Sequence, residues 1–227
     1  MKMVGLKTLL GAVLISCIVF AGPAWAGTLN FSGNSLGEGE LSFNPGYGNT
    51  LTIGSDGTNP GALITQLLNT SGLCGGNCAI SSGYMTLTSG VETSGGSGTY
   101  TFGAGGTIDI YGGIASLGIA NGTLLLSATF SSGSTLVAGA STGVFSGNLN
   151  LASITLNPAL GAYNFSGGST AAITVDLSGT CSGGGPCQGS ITTAGVSMQT
   201  TPEPASLSLL GTGLLAVGGV LRKKLFS

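Results

Sequence analysis

The chain has 227 residues, of which 5% are charged and 44 are glycine, and it contains no histidine; an average globular protein is roughly 25% charged. Its five cations, Lys2, Lys7, Arg222, Lys223 and Lys224, sit at the two ends, so the span from Thr8 to Leu221 carries seven acids and nothing positive. Such a span cannot neutralise phosphates, which excludes nucleic-acid binding and strong attachment to an anionic membrane surface, and the missing His and internal Lys exclude Ser-His-Asp, Cys-His, Ser-Lys and Schiff-base catalysis.

In chain order, Met1 to Lys7 is short and positive, and Thr8 to Ala21 is apolar and uncharged. Pro23 and Ala24-Trp25-Ala26 follow, the latter a small-x-small cleavage signature. This is the order of a secretory signal peptide. Signal peptidase is expected to cut after Ala26 and leave Gly27 as the first mature residue. Two alternatives stand beside that reading. The segment could stay uncleaved as an anchor, or Cys17 could be lipidated, because Leu14-Ile15-Ser16-Cys17 resembles a bacterial lipobox. Ile18-Val19-Phe20-Ala21 stays apolar where a lipoprotein usually turns polar.

Residues 27–200 read as short strands between glycine-rich turns and are long enough to bury a core. Early candidates are Thr28 to Phe31, Gly39 to Phe43 and Thr50 to Ile53. Tyr84 to Thr88, Thr99 to Phe102 and Thr107 to Tyr111 alternate with period two. Thr123 to Phe130, Val144 to Leu156, Ala162 to Phe165, Ala171 to Leu177 and Ser190 to Ser197 complete the set. Pro60 to Asn69 reads as a short helix, with Asn59 as N-cap and Pro60 in its first turn. The expected fold class is all-β, a sandwich-like or irregular barrel of short strands. A β-solenoid is the alternative, weakened by the lack of a fixed repeat length. Leu, Ile, Val and aromatics should fill the core, Ser and Thr the outer face, and most glycines the turns.

Four cysteines remain after export, Cys74, Cys78, Cys181 and Cys187. An even count in an exported chain argues for disulfides. The glycines in Cys74-Gly75-Gly76-Asn77-Cys78 and in the loop from Cys181 to Cys187 let each segment fold back on itself, so the local bridges Cys74–Cys78 and Cys181–Cys187 are expected. Chain entropy puts each at ~2 kcal/mol, against ~4.7 for a cross-link spanning about 100 residues. A metal site is not expected, since no His flanks these thiols.

Little else carries chemistry. Glu38 and Glu40 stand at i, i+2 and could in principle form a glycosidase pair. A sugar cleft usually has aromatic walls, and the mature body has no Trp, so an acidic strand edge that discourages pairing is the plainer reading. Asp56-Gly57-Thr58-Asn59 lacks the acid density of a calcium loop and reads as a turn. The sequons at Asn69, Asn121 and Asn164 carry no argument. Thr86/Thr88 and Thr99/Thr101 hint at two short threonine ladders. No cofactor is implied, and the chain is not expected to be an enzyme.

The C-terminus is the most specific signal. Thr201-Pro202-Glu203-Pro204 precedes an uncharged run from Ala205 to Leu221, and Arg222-Lys223-Lys224 follows. A helix over 205–221 would be about 25 Å long, close to the ~30 Å hydrocarbon core, and the basic triplet should stay cytoplasmic. Two prolines hold the preceding backbone extended, a form a membrane protease can bind. A plain stop before a single-pass helix is the alternative. This tripartite end resembles the PEP-CTERM sorting segment of Gram-negative bacteria, on Pro202-Glu203-Pro204, the Leu209 to Leu214 run and Arg222-Lys223-Lys224. The resemblance implies recognition by an exosortase, a transpeptidase-like membrane enzyme, and an exopolysaccharide or biofilm setting. Similar tails are also named ice-binding-protein C-termini, a label that implies no ice binding here.

The expected organisation is a signal peptide (1–26), an all-β extracellular domain (27–200) and a sorting segment (201–227). The expected route is inner-membrane anchoring, then release to the cell surface or beyond. Three roles follow: a structural or adhesive matrix protein in contact with exopolysaccharide, a carbohydrate- or ice-binding surface module, or an enzyme using Glu38 and Glu40.

Overall fold

Alternation of apolar and small polar residues decides the architecture. In Ser81–Thr88 the side chains of Met85 and Leu87 point inward while Tyr84, Thr86 and Thr88 point out. In Thr107–Ile114 the same division puts Ile108 and Ile110 inside and Thr107, Asp109 and Tyr111 outside. A period of two with apolar residues on the inner face and β-branched threonines outside is what a pleated, half-buried surface selects. The computed structural model describes residues 28–34, 38–70, 73–96, 98–138, 144–161, 170–181 and 187–199. All fall within one compact unit, Gly27–Thr201. The expected signal peptide, Ala162 to Phe165 and the expected membrane span lie outside the described residues. Among the described residues no helix is long and apolar enough to cross a membrane.

In chain order the strands are β1 (Thr28–Asn34), β2 (Glu40–Phe43), β3 (Leu51–Gly54), β4 (Ala62–Leu63), β5 (Gln66–Thr70), β6 (Gly76–Ala79), β7 (Ser81–Thr88) and β8 (Glu92–Gly96). Then come β9 (Thr99–Phe102), β10 (Thr107–Ile114), β11 (Ile119–Phe130), β12 (Ser134–Ala138), β13 (Val144–Leu156), β14 (Thr170–Cys181) and β15 (Cys187–Gln199). Single 3-10 turns follow β10 and β13.

All the strands join one antiparallel sheet, and its pairings close on themselves. The order β15-β2-β3-β7-β10-β11-β13 is completed by β14, which pairs with both β13 and β15. That ring of eight strands is an irregular barrel. β1, β5 and β6 extend from the far half of β15, and β12, β9 and β8 extend from the first half of β13. Register shifts in β10–β11, β11–β13 and β14–β15 mark bulges, the usual device for curving a sheet toward closure. A solenoid stacks parallel strands, so the antiparallel ladders leave no room for that alternative.

The expected helix over Pro60 to Asn69 is absent; the segment forms β4 and β5 instead. Ala62 and Leu63 pair with Met85 and Tyr84, the Ile64 amide donates to Gly83, and the Thr65 amide donates to Ser32. The segment thus bridges β7 and β1. Its helical look came from Asn-Pro-Gly punctuation followed by Leu and Ile, which local rules cannot tell from a buried strand. The crossing is tight. A Cβ on Gly33 would collide with the Leu63 carbonyl, and one on Gly83 with the Ile64 carbonyl and the Ile80 side chain. These glycines lie in strands, not turns, because backbone must approach backbone there.

The core runs through the ring and its extensions, including Phe31, Phe43, Ile64, Leu67, Ile108 and Ile110. Phe43 meets Tyr100 and Phe102 edge to face, with centroids 4.8 and 5.7 Å away. The residual space between Leu41, Leu87, Phe102, Phe130 and Val175 is about 20 Å³. That is room for about one water, so this interior is packed rather than a ligand pocket. The few buried polar side chains are satisfied. Ser89 Oγ accepts from the Leu51 amide (2.8 Å) and donates to the Gly90 carbonyl (2.7 Å), and Glu92 Oε2 accepts from the Gly46 amide (2.8 Å).

Candidate functional site

The outer face of β7, β10 and β11 is ordered into rows by strand register. One row runs across β4, β7, β10 and β11 as Leu63, Tyr84, Tyr111 and Leu124, all half-buried. Within it the tyrosine rings stack, with centroids 5.0 Å apart and planes 18° from parallel. The next row, two residues along β7 and β10 and, past a bulge, three along β11, is Thr86, Asp109, Ser127 and Thr155. The third is Ser42, Thr52, Thr88, Thr107, Thr129 and Ser153, an unbroken line of hydroxyl residues over six strands. Strands ~4.8 Å apart make that line about 24 Å long, with rows roughly 6.7 Å from one another. The face therefore grades from aromatic to mixed to hydroxyl.

Its electrostatics are simple. Asp109 stands between Thr86 and Ser127, with no cation in the body to neutralise it. Burial first, then Asp109 and Tyr84, push the Tyr111 phenol above its ordinary value. The phenol stays protonated at neutral pH and can donate as well as accept.

A second hydroxyl-bearing row lies elsewhere on the barrel, where Ser94, Thr101 and Thr135 align across β8, β9 and β12. Of the threonines read from the sequence, Thr86, Thr88 and Thr101 belong to such rows, whereas Thr99 faces Gly96 and Val137, and only Thr86 and Thr88 stand beside an aromatic pair and a carboxylate. The alternation of Tyr84, Thr86 and Thr88 and of Thr107, Asp109 and Tyr111 was visible in the sequence. Their juxtaposition was not, because eighteen residues separate Thr88 from Thr107 and nothing local sets the register.

Glu38 and Glu40 do not share the face of one strand. β2 begins at Glu40, and Gly39 before it takes a left-handed φ of 81°. Glu40 accepts a hydrogen bond from the Gln188 side chain. Nor is this an exposed edge, since β2 is paired with β15 on one side and β3 on the other.

Asp56 holds its own turn. Oδ1 accepts from the amides of Thr58 (2.8 Å) and Asn59 (2.7 Å). Oδ2 accepts from the Gly39 amide (3.0 Å) and the Asn59 side chain (3.1 Å). These bonds, led by those from Asn59, hold the carboxyl far below its usual range. Both oxygens are spent on the chain itself, which ties the β3 loop to the entrance of β2. Asn59 serves this turn and caps no helix.

Cys74 and Cys78 are joined by a disulfide with Cα atoms 5.5 Å apart. Cys187 is buried and disulfide-bonded, and the register sets Cys181 directly opposite it. Among the described residues no group of three or more acids and cysteines is placed to hold a metal.

β1 begins and β15 ends side by side, with Thr28 opposite Gln199. The first and last strands of the described body therefore begin and end as neighbours. Ala24 and Ala26 precede Thr28 by a few residues, and Pro202 follows Gln199 by three. Those residues, Cys17, Glu203, Pro204, Arg222, Lys223 and Lys224 lie outside the described residues. Residues 200–224 match the model of the PEP-CTERM protein-sorting motif. The chain carries a PEP-CTERM sorting segment. This motif implies an exported protein, anchored in the membrane at its C-terminus and then processed by an exosortase-type membrane enzyme. In sequence, the match begins at the residue after β15 ends. No curated protein and no solved structure matches the chain.

Proposed function

We propose that this PEP-CTERM protein is a structural or adhesive component of the extracellular matrix, without enzymatic activity, in contact with exopolysaccharide. The observation that carries the reading is the order along the chain, in which a closed barrel with outward rows of hydroxyls is followed at Gln199 by the sorting motif. On this reading signal peptidase frees the N-terminus near Ala26, the helix over 205–221 holds the chain in the inner membrane, and the exosortase cuts near Pro202-Glu203-Pro204. Bridges Cys74–Cys78 and Cys181–Cys187 then pin two hairpins of a body that must survive outside the cell.

The test is the mass and location of the protein in its native host, with Pro202-Glu203-Pro204 intact or replaced by alanines. The wild type should end near residue 200 and appear outside the cell, and the variant should stay in the membrane with Arg222-Lys223-Lys224 attached. A wild type that keeps its basic end, unaffected by the replacement, overturns the sorting step. A deletion strain with an unaltered matrix overturns the structural role.

The second reading, a carbohydrate- or ice-binding module, is favoured by the outward rows on β7, β10 and β11.

A further inference from the structure

We propose that the outer face around Tyr84, Tyr111 and Asp109 is a binding site for a neutral polysaccharide. The inference rests on the matrix role above and supplies it with a ligand and a place.

The chemistry of the three rows matches that of a sugar chain. A pyranose ring offers an apolar face of C–H bonds and a rim of hydroxyls. The stacked tyrosines cover one face of each ring with the other and stand between Leu63 and Leu124, so they present an apolar strip of ring edges that the C–H face of a sugar can contact, with phenol groups to hydrogen-bond. Asp109 accepts only, and Thr86, Ser127 and the hydroxyl row both donate and accept. A polyol needs partners of both kinds. The row of Ser42, Thr52, Thr88, Thr107, Thr129 and Ser153 spans about 24 Å, which suits an extended polymer rather than one sugar. The face is a set of ladders on a closed barrel, so little ordering cost falls on the protein when a chain settles there.

Charge selects the class of polymer. The body has no Lys or Arg, and the centre of the face carries a carboxylate. A polyanion, whether nucleic acid or acidic polysaccharide, would meet repulsion and find no counter-charge. Ice would need a uniform lattice, and here the tyrosine pair and Asp109 interrupt the threonines. The row through Ser94, Thr101 and Thr135 has hydroxyls without rings or carboxylate, so it serves as the internal control.

The experiment uses the full-length chain in detergent, titrated with neutral and acidic fractions of the producing cells' exopolysaccharide and with dextran. The variants are Tyr111→Ala, Tyr84→Ala, Thr88→Val with Thr107→Val, and the control Thr101→Val. Binding to the neutral fraction is expected. Each tyrosine variant should weaken it about tenfold, the double valine variant about three- to tenfold, and the control should leave it unchanged. Valine keeps the β-branched shape, so an unaltered unfolding midpoint separates lost binding from lost folding. Neutral binding that survives the tyrosine and valine variants overturns this site. Preference for the acidic fraction overturns the charge argument. Inhibition of ice recrystallisation without glycan binding assigns the face to ice and overturns the proposal. No binding at all, from a protein still found in the matrix, overturns the glycan site while leaving the matrix role standing.

Discussion

Replacing Phe43 by alanine tests whether the barrel is closed. Phe43 is the last residue of β2, the short strand that joins β15 to β3 and completes the ring. It is 1% exposed and packs edge to face on both Tyr100 and Phe102 of β9. Truncating a buried phenylalanine costs 3–5 kcal/mol, and two aromatic contacts place this site in the upper half of that range, at about 4 kcal/mol. A domain has only 5–15 kcal/mol of stability, so the variant should fold but unfold at much lower urea. Residues 27–227 contain no tryptophan, so far-UV circular dichroism is the probe. A double-mutant cycle with Tyr100→Leu should give a coupling of about 1 kcal/mol. A loss below about 1.5 kcal/mol, or no coupling, would show that β2 does not pack into the core. The ring would then be open between β15 and β3.

Asp56 should make stability pH-dependent. Its carboxyl is depressed in the folded state, so its contribution is present above the unfolded value of 3.8 and is lost as pH falls toward the folded value. The urea midpoint of the wild type should exceed that of Asp56→Ala at pH 6, and the gap should close as acid is added. A gap that does not depend on pH refutes the role of the charge. Gly83→Val should cost about 3 kcal/mol or more, because the Ile64 carbonyl cannot retreat; a soluble variant with wild-type stability would refute the tight crossing. Cys74→Ser with Cys78→Ser should cost ~2 kcal/mol by loss of a short loop closure, read from the same urea curves; no shift would mean that the bridge adds nothing to folding.

What was legible in the sequence follows from which rules are local. Met85, Leu87, Ile108 and Ile110 declare their strands by alternation alone, and the glycines about Cys74 and Cys78 declare a tight loop. Residues 60 to 69 were misread because both sides of that segment are set by distant partners, Met85 and Tyr84 on β7 and Ser32 on β1. The strands β6, β8 and β12 escaped notice for a related reason. Each is only four or five residues long with at most a few apolar positions, and it is pairing with β5, β9 and β13 that makes them strands. The sorting segment needed no fold to be seen. The tyrosine pair needed all of it, since Tyr84 and Tyr111 meet only once β7 and β10 are in register.

The barrel also answers a problem posed by its composition. Sheet proteins commonly protect exposed strand edges with lysine or other charges, and this body has no cation and few acids to spend. Closure of the ring removes the need over β2, β3, β7, β10, β11, β13, β14 and β15. Two strands end the path, β6 and β8, and each is guarded by other means. β6 is four residues long and contains Cys78, whose bridge to Cys74 bends the chain at its start. β8 carries a register shift between Glu92 and Ser94, and at Glu92 the Gly46–Asn49 turn already occupies the edge through the Gly48 amide and the Asn49 carbonyl. Edge-to-edge pairing of the described strands is thus disfavoured although the body carries so little charge. The proposed glycan site would draw on the same economy of charge, since hydroxyls that stand where charges usually would are what a neutral polymer can hydrogen-bond.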